Sequence, residues 1–102
     1  MNEDVCYVEL MTDLKSYAEK LGYKFEGGSM INQEFTVAGY GPNNKFKTVP
    51  LRFTHEEKEI KYRYDVPFWE FNILNKDPEY YEHFIDRIYN TLKRLRDGKQ
   101  NN

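Results

Sequence analysis

At 102 residues, with 17% aromatic and 31% charged side chains, the chain is long enough to build one domain around its own core and too short for two. Its net charge of −2, divided as −2 up to Leu51 and 0 beyond it, lacks both the basic excess of a typical nucleic-acid binder and the acidic excess of a DNA mimic. A single cysteine, Cys6, excludes an intramolecular disulfide and a cysteine-rich zinc cluster, and indicates a reducing, cytoplasmic setting.

The start MNEDVCYVEL is acidic where a secretory signal is basic, and nowhere does the chain hold the run of about 18 apolar residues that a membrane span needs. From Asn2 to Leu21 the pattern predicts a helix. Tyr7, Met11, Leu14, Ala18 and Leu21 recur at steps of four and three, Glu3 and Asp4 suit the positive end of the helix dipole, and Gly22 suits a C-terminal stop. A competing reading takes Val5 to Val8 as a strand and starts a shorter helix at a Thr12 cap; the periodicity favours the long helix.

Beyond Tyr23 the period becomes two. Tyr23 and Phe25 alternate with charged residues before Gly27-Gly28-Ser29, which reads as a turn, and Phe35 and Val37 belong to a second strand running on to Tyr40. Gly41 to Asn44 is a further turn signal, and Val49, Leu51 and Phe53 lie on a return strand that Pro50 confines to an edge or a bulge. After the polar turn His55 to Lys58 comes the clearest strand, with Ile60, Tyr62, Tyr64 and Val66 on one face and Glu59, Lys61, Arg63 and Asp65 on the other. Past Pro67, the alternation of Trp69, Phe71 and Ile73 predicts a last strand or extended segment.

Asp77-Pro78 then opens a strongly amphipathic helix. Tyr81, Phe84, Ile85, Ile88, Leu92 and Leu95 form its apolar stripe, Gly98 marks its end, and residues 99–102 form a polar tail. The expected fold over residues 1–98 is a single α+β domain. An N-terminal helix, an antiparallel meander of four or five strands and a C-terminal amphipathic helix follow in order, with both helices packed on one face of the sheet.

The residues that carry chemistry are few, and each has a structural explanation. Gly39 to Lys45 is glycine-rich, but a phosphate-cradling loop must open a helix, whereas Phe46 resumes a strand pattern. Glu79, His83 and Arg87 share a helix face that the stripe turns towards solvent, where an i,i+4 charge ladder is ordinary; His55 sits among Glu56 and Glu57 in a polar turn. Cys6, among Val5, Tyr7 and Val8, reads as a small buried apolar group.

These observations favour a small non-enzymatic binding protein acting on another protein, a class that includes inhibitors, immunity-type proteins and phage or mobile-element accessory proteins. Arg52, Lys61, Arg63 and Glu70 are the candidate binding surface, on a sheet face left open and flanked by Glu34. No cofactor and no metal are expected, and homodimerisation is compatible with the aromatic excess. The alternative is nucleic-acid binding through the basic helix end, Arg87, Lys93, Arg94, Arg96 and Lys99. A third reading, a small enzyme, requires His55, His83 or Cys6 to converge with carboxylates.

Overall fold

The computed structural model describes the backbone of residues 3–29, 31–35 and 44–100, and the side chains of 7–29 and 47–98. Helix α1 runs over Glu3–Lys20, followed by strands β1 (Lys24–Gly27), β2 (Ile31–Phe35), β3 (Asn44–His55) and β4 (Ile60–Pro67), then helices α2 (Phe68–Lys76) and α3 (Pro78–Gln100). The class is α+β with an antiparallel sheet, as the patterning implies.

The long helix wins over the strand at 5–8. Leu10, Leu14, Ala18 and Leu21 are buried, and Tyr7 and Met11 pack against them. Gly22, at φ +88°, supplies the left-handed residue of the stop: the Tyr23 N–H donates to the Ala18 carbonyl at 2.9 Å and the Gly22 N–H to that of Glu19 at 3.1 Å.

The sheet departs from a simple meander. Thr48 of β3 is partnered on one side by Ile31 and on the other by Pro67, so β2 and β4 flank opposite edges of β3; Phe53 lies likewise between Phe25 and Tyr62. Strands β1 and β2 therefore follow one another along the same edge, and four strands occupy three lanes. The paired numbers sum to 78 in β1–β3 (24 with 54) and to 79 in β2–β3 (31 with 48), one extra residue on the outer strand. Gly27-Gly28-Ser29 is thus no hairpin turn. It is a bulge, placed opposite Pro50, the residue that cannot donate to the ladder; the Gly28 N–H instead donates to the Pro50 carbonyl at 2.9 Å. Pro50 sits in the central strand because the bulge removes the need for its missing donor. The candidate strand end and turn at residues 36–43 lie outside the described residues.

A second correction concerns residues 68–76, which form helix α2 and no strand. The buried positions are Glu70, Phe71 and Leu74, a helical spacing, while Trp69 is 60% exposed. Reading Glu70 as surface hid that period. Asp77 then separates two helices by itself. Preceding Pro78, it is held extended (φ −122°, ψ 100°), which ends α2, and its Oδ1 accepts from the N–H groups of Glu79 and Tyr80 at 3.0 and 3.2 Å, which caps α3.

Helix α3 continues through Gly98, whose position a side chain could occupy without touching anything within 4 Å, so glycine there keeps helical geometry and is no stop. Its buried stripe is Phe84, Ile85, Ile88 and Leu92; Leu95, expected to continue it, is 36% exposed. These side chains meet Val49, Leu51, Phe53, Ile60 and Val66 in one core on one face of the sheet. At roughly 1.5–3 kcal/mol for each large side chain buried, this face supplies the principal cohesion of the fold.

Candidate functional site

Strand register decides which of the sequence-derived candidates share a surface. Partners across an antiparallel ladder point to the same side, so Glu26, Arg52 and Arg63 form one row across β1, β3 and β4, and Lys24, Thr54 and Lys61 form the next. All except Thr54, which is half-buried, are exposed, on the face away from the core. Arg52, Lys61 and Arg63 are therefore brought together as expected. Glu34 has no described side chain.

Glu70 is not part of this surface. It belongs to α2 and is only 2% exposed. Its Oε1 accepts from the Tyr64 hydroxyl, and its Oε2 from the Tyr80 hydroxyl at 2.6 Å and from Arg87 Nη2 at 3.0 Å. Burying a carboxylate is tolerable because three charge-assisted donors replace its water. Burial raises the Tyr64 phenol well above its ordinary range, with the hydrogen bond to Glu70 adding to it; at Tyr80 that hydrogen bond is the main cause and burial adds to it. The cluster ties β4, α2 and α3 together.

This also alters the basic helix end. Arg87 is committed to Glu70 and lies 5.4 Å above the Phe84 ring. Arg96 pairs with Asp97 at 3.1 Å, leaving Lys93 and Arg94 as exposed cations of that group; the side chain of Lys99 is outside the described residues.

The histidines are far apart in environment. His83 stands exposed beside Glu79, with Nε2 3.9 Å from the carboxylate, as its helix position implies. His55, expected in a polar turn, instead closes β3 and is buried at 6% exposure. Its Nδ1 accepts from the Lys58 N–H at 3.2 Å, and its ring meets the edge of Tyr23 at 5.1 Å. Cys6 lies in α1, its side chain outside the described residues. Among the described residues no three His, Cys, Asp or Glu side chains are arranged to hold a metal ion. The chain that follows the glycine-rich stretch enters β3 at Asn44, and no helix N-terminus is there to meet a phosphate.

One groove among the described residues was not legible as a site in the sequence. Helices α1 and α3 run in the same direction side by side. The Tyr81 hydroxyl donates to Asp13 Oδ2 at 2.8 Å, and further along Tyr17 meets Tyr89 edge-on at 5.6 Å. Between them, where α2 ends, lies a groove of about 470 Å³. Its apolar surfaces are Leu74, Pro78 and Ile85, and Tyr17 and Tyr81 provide aromatic walls. Glu9 and Asp13 line it from α1, and Glu82 and Asp86 from α3, with no lysine or arginine among the lining residues. Four carboxylates converge on it in a chain whose net charge is only −2.

Comparison with protein-family models, with curated proteins and with solved structures finds no match for this chain.

What the groove can do follows from its own chemistry. Like charges gathered on a concave, partly apolar surface raise the local concentration of a counter-charge and favour a cation carried on an apolar stem. Tyr17 already accepts one: Lys20 Nζ lies 5.2 Å from its ring centroid. The sequence does contain the acidic flanks, Glu9 with Asp13 and Glu82 with Asp86, each at i,i+4. That they face one another depends on the pairing of α1 with α3. No helix among the described residues is long and apolar enough to cross a membrane.

Proposed function

We propose that this protein is a small binding module that acts by contact with another protein, and that its α1–α3 groove receives lysine or arginine side chains from a basic segment of that partner. The observation that carries this reading is the convergence of Glu9, Asp13, Glu82 and Asp86, with no lysine or arginine among the residues that line it, around the apolar and aromatic surfaces of one groove. A guanidinium can pair with a carboxylate at the rim while its stem lies on Ile85 and its plane stacks on Tyr17 or Tyr81. Exposed pairs contribute only about 0.2–1 kcal/mol each, so the interaction depends on several acting together and weakens as salt rises. Inhibitor and immunity-type proteins are members of this class of small binding module.

The test is fluorescence anisotropy with a labelled peptide of alternating arginine and glycine, beside a glutamine–glycine control of equal length. Saturable binding of the arginine peptide is expected. The double substitution Glu82→Lys and Asp86→Lys should weaken it about tenfold or more while leaving the thermal melt in place. Equal affinity for the two peptides, or a double variant that binds as the parent does, would dismiss the groove as the site.

A further inference from the structure

We propose that the open face of the sheet is a second docking surface, of opposite sign, and that its occupant is an extended acidic segment of a partner protein with Asp or Glu at alternate positions. The proposal stands independently of the groove, since it rests on a different side of the sheet. The buried apolar side chains of all three helices belong to the core on the other face; on this one Thr48 and Pro50 are buried, and the exposed part is the end that bears Lys24, Arg52, Lys61 and Arg63.

Four cations and two anions occupy the two rows and their continuation, and their pairing is uneven. Lys24 is taken by Glu56 at 2.6 Å. Arg63 gives only its Nε to Asp65, at 2.9 Å, so its terminal nitrogens remain available. Among the described residues no carboxylate lies within ion-pair distance of Arg52 or Lys61. Arg52 and Arg63 are moreover direct cross-strand partners, a like-charge pair offset only in part by Glu26, opposite Arg52 on β1, and by Asp65 at Arg63 Nε.

The spacing selects the form of the ligand. Lys61 and Arg63 are two residues apart on β4 and point the same way, so their repeat matches that of alternate side chains in an extended chain. Beside Arg52 the surface is indented. The bulge leaves a hollow of about 250 Å³ with Gly28 packed so tightly on the Pro50 ring that a Cβ there would come within 2.7 Å of it. Arg52 lines this hollow together with Glu26, so a ligand carboxylate entering it meets the guanidinium and one opposing charge.

A polyanion of uniform charge fits less well than an acidic peptide. Glu26 and Asp65 interrupt the cations on the same face, and a phosphate backbone would confront them with its closely spaced charges. A protein segment can place a neutral or basic residue at those points.

The experiment titrates the full chain against a labelled peptide of alternating glutamate and glycine, a glutamine–glycine control, and single- and double-stranded DNA, with sedimentation velocity on the protein alone. Preferential binding of the glutamate peptide is expected. Arg52→Glu and Arg63→Glu should each weaken it about tenfold, whereas Arg94→Glu, on the exposed basic end of α3, should leave it unchanged. The urea midpoint of each variant establishes that it is folded. Three results would overturn the proposal: no preference over glutamine, equal loss with Arg94→Glu, or tighter binding of DNA. A mass that rises with protein concentration and falls with Arg52→Glu would assign the face to a second copy's groove and overturn it too.

Discussion

The Glu70 cluster and the open sheet face handle charge in opposite ways. At Glu70 a carboxylate is withdrawn from water and given three donors, Tyr64, Tyr80 and Arg87, drawn from three different elements. On the sheet face Arg52 and Arg63 stand in solvent, directly opposed across β3 and β4, and Arg52 has no described ion-pair partner. The first arrangement is what a charge needs in order to serve the fold. The second, exposed and, among the described residues, held only by the Arg63–Asp65 pair, contributes little to it. Charged residues that look alike in the sequence therefore divide by environment into those withdrawn into the fold and those left in solvent.

The largest effect that would break this comparison is at Glu70. Glu70→Ala leaves two tyrosine hydroxyls without their acceptor and opens a space between α2 and β4. Because Arg87 is itself half-exposed and can rehydrate, the expected cost is near the lower end for a broken buried pair, about 3 kcal/mol by urea denaturation. A change below about 1 kcal/mol would mean that the cluster is incidental.

The next effect is on pH dependence. Tyr64 and Tyr80 hold their protons more tightly folded than unfolded, where a phenol titrates near pH 10. Below about pH 10 both states are protonated and the contribution is fully present; above it the unfolded chain loses the proton first, so stability falls as pH rises. Tyr64→Phe should cost about 1–3 kcal/mol at neutral pH and flatten the alkaline decline. Parallel stability profiles for the two proteins from about pH 8 upwards would contradict the role given to Tyr64.

The smallest effect sharpens the other side of the comparison. Arg63→Glu sets a carboxylate opposite Arg52 but gives up the Asp65 pair, so its net effect on stability should lie within about 0.5 kcal/mol. A loss of more than about 1 kcal/mol would show that Arg63 belongs with the fold after all.

Much of this architecture is written locally. The α1 stop at Gly22, the Asp77 cap, the alternation of Ile60 to Val66 and the α3 stripe are set by steric preference, hydrogen bonding within a few residues and side-chain period, all of which are properties of short segments. Even the placement of Arg52, Lys61 and Arg63 on one open face followed from period two. What only the tertiary structure decided involves pairings distant in sequence. The course of β1 and β2 along one edge depended on β3 presenting Pro50 opposite Gly28. The helix at 68–76 depended on Tyr64, Tyr80 and Arg87 making a buried glutamate acceptable, an outcome that no local pattern can encode. The burial of His55 against Tyr23, and the convergence of four carboxylates between α1 and α3, likewise arose when elements tens of residues apart packed together. Burial determines what a charge does, and burial is settled only when the chain closes on itself.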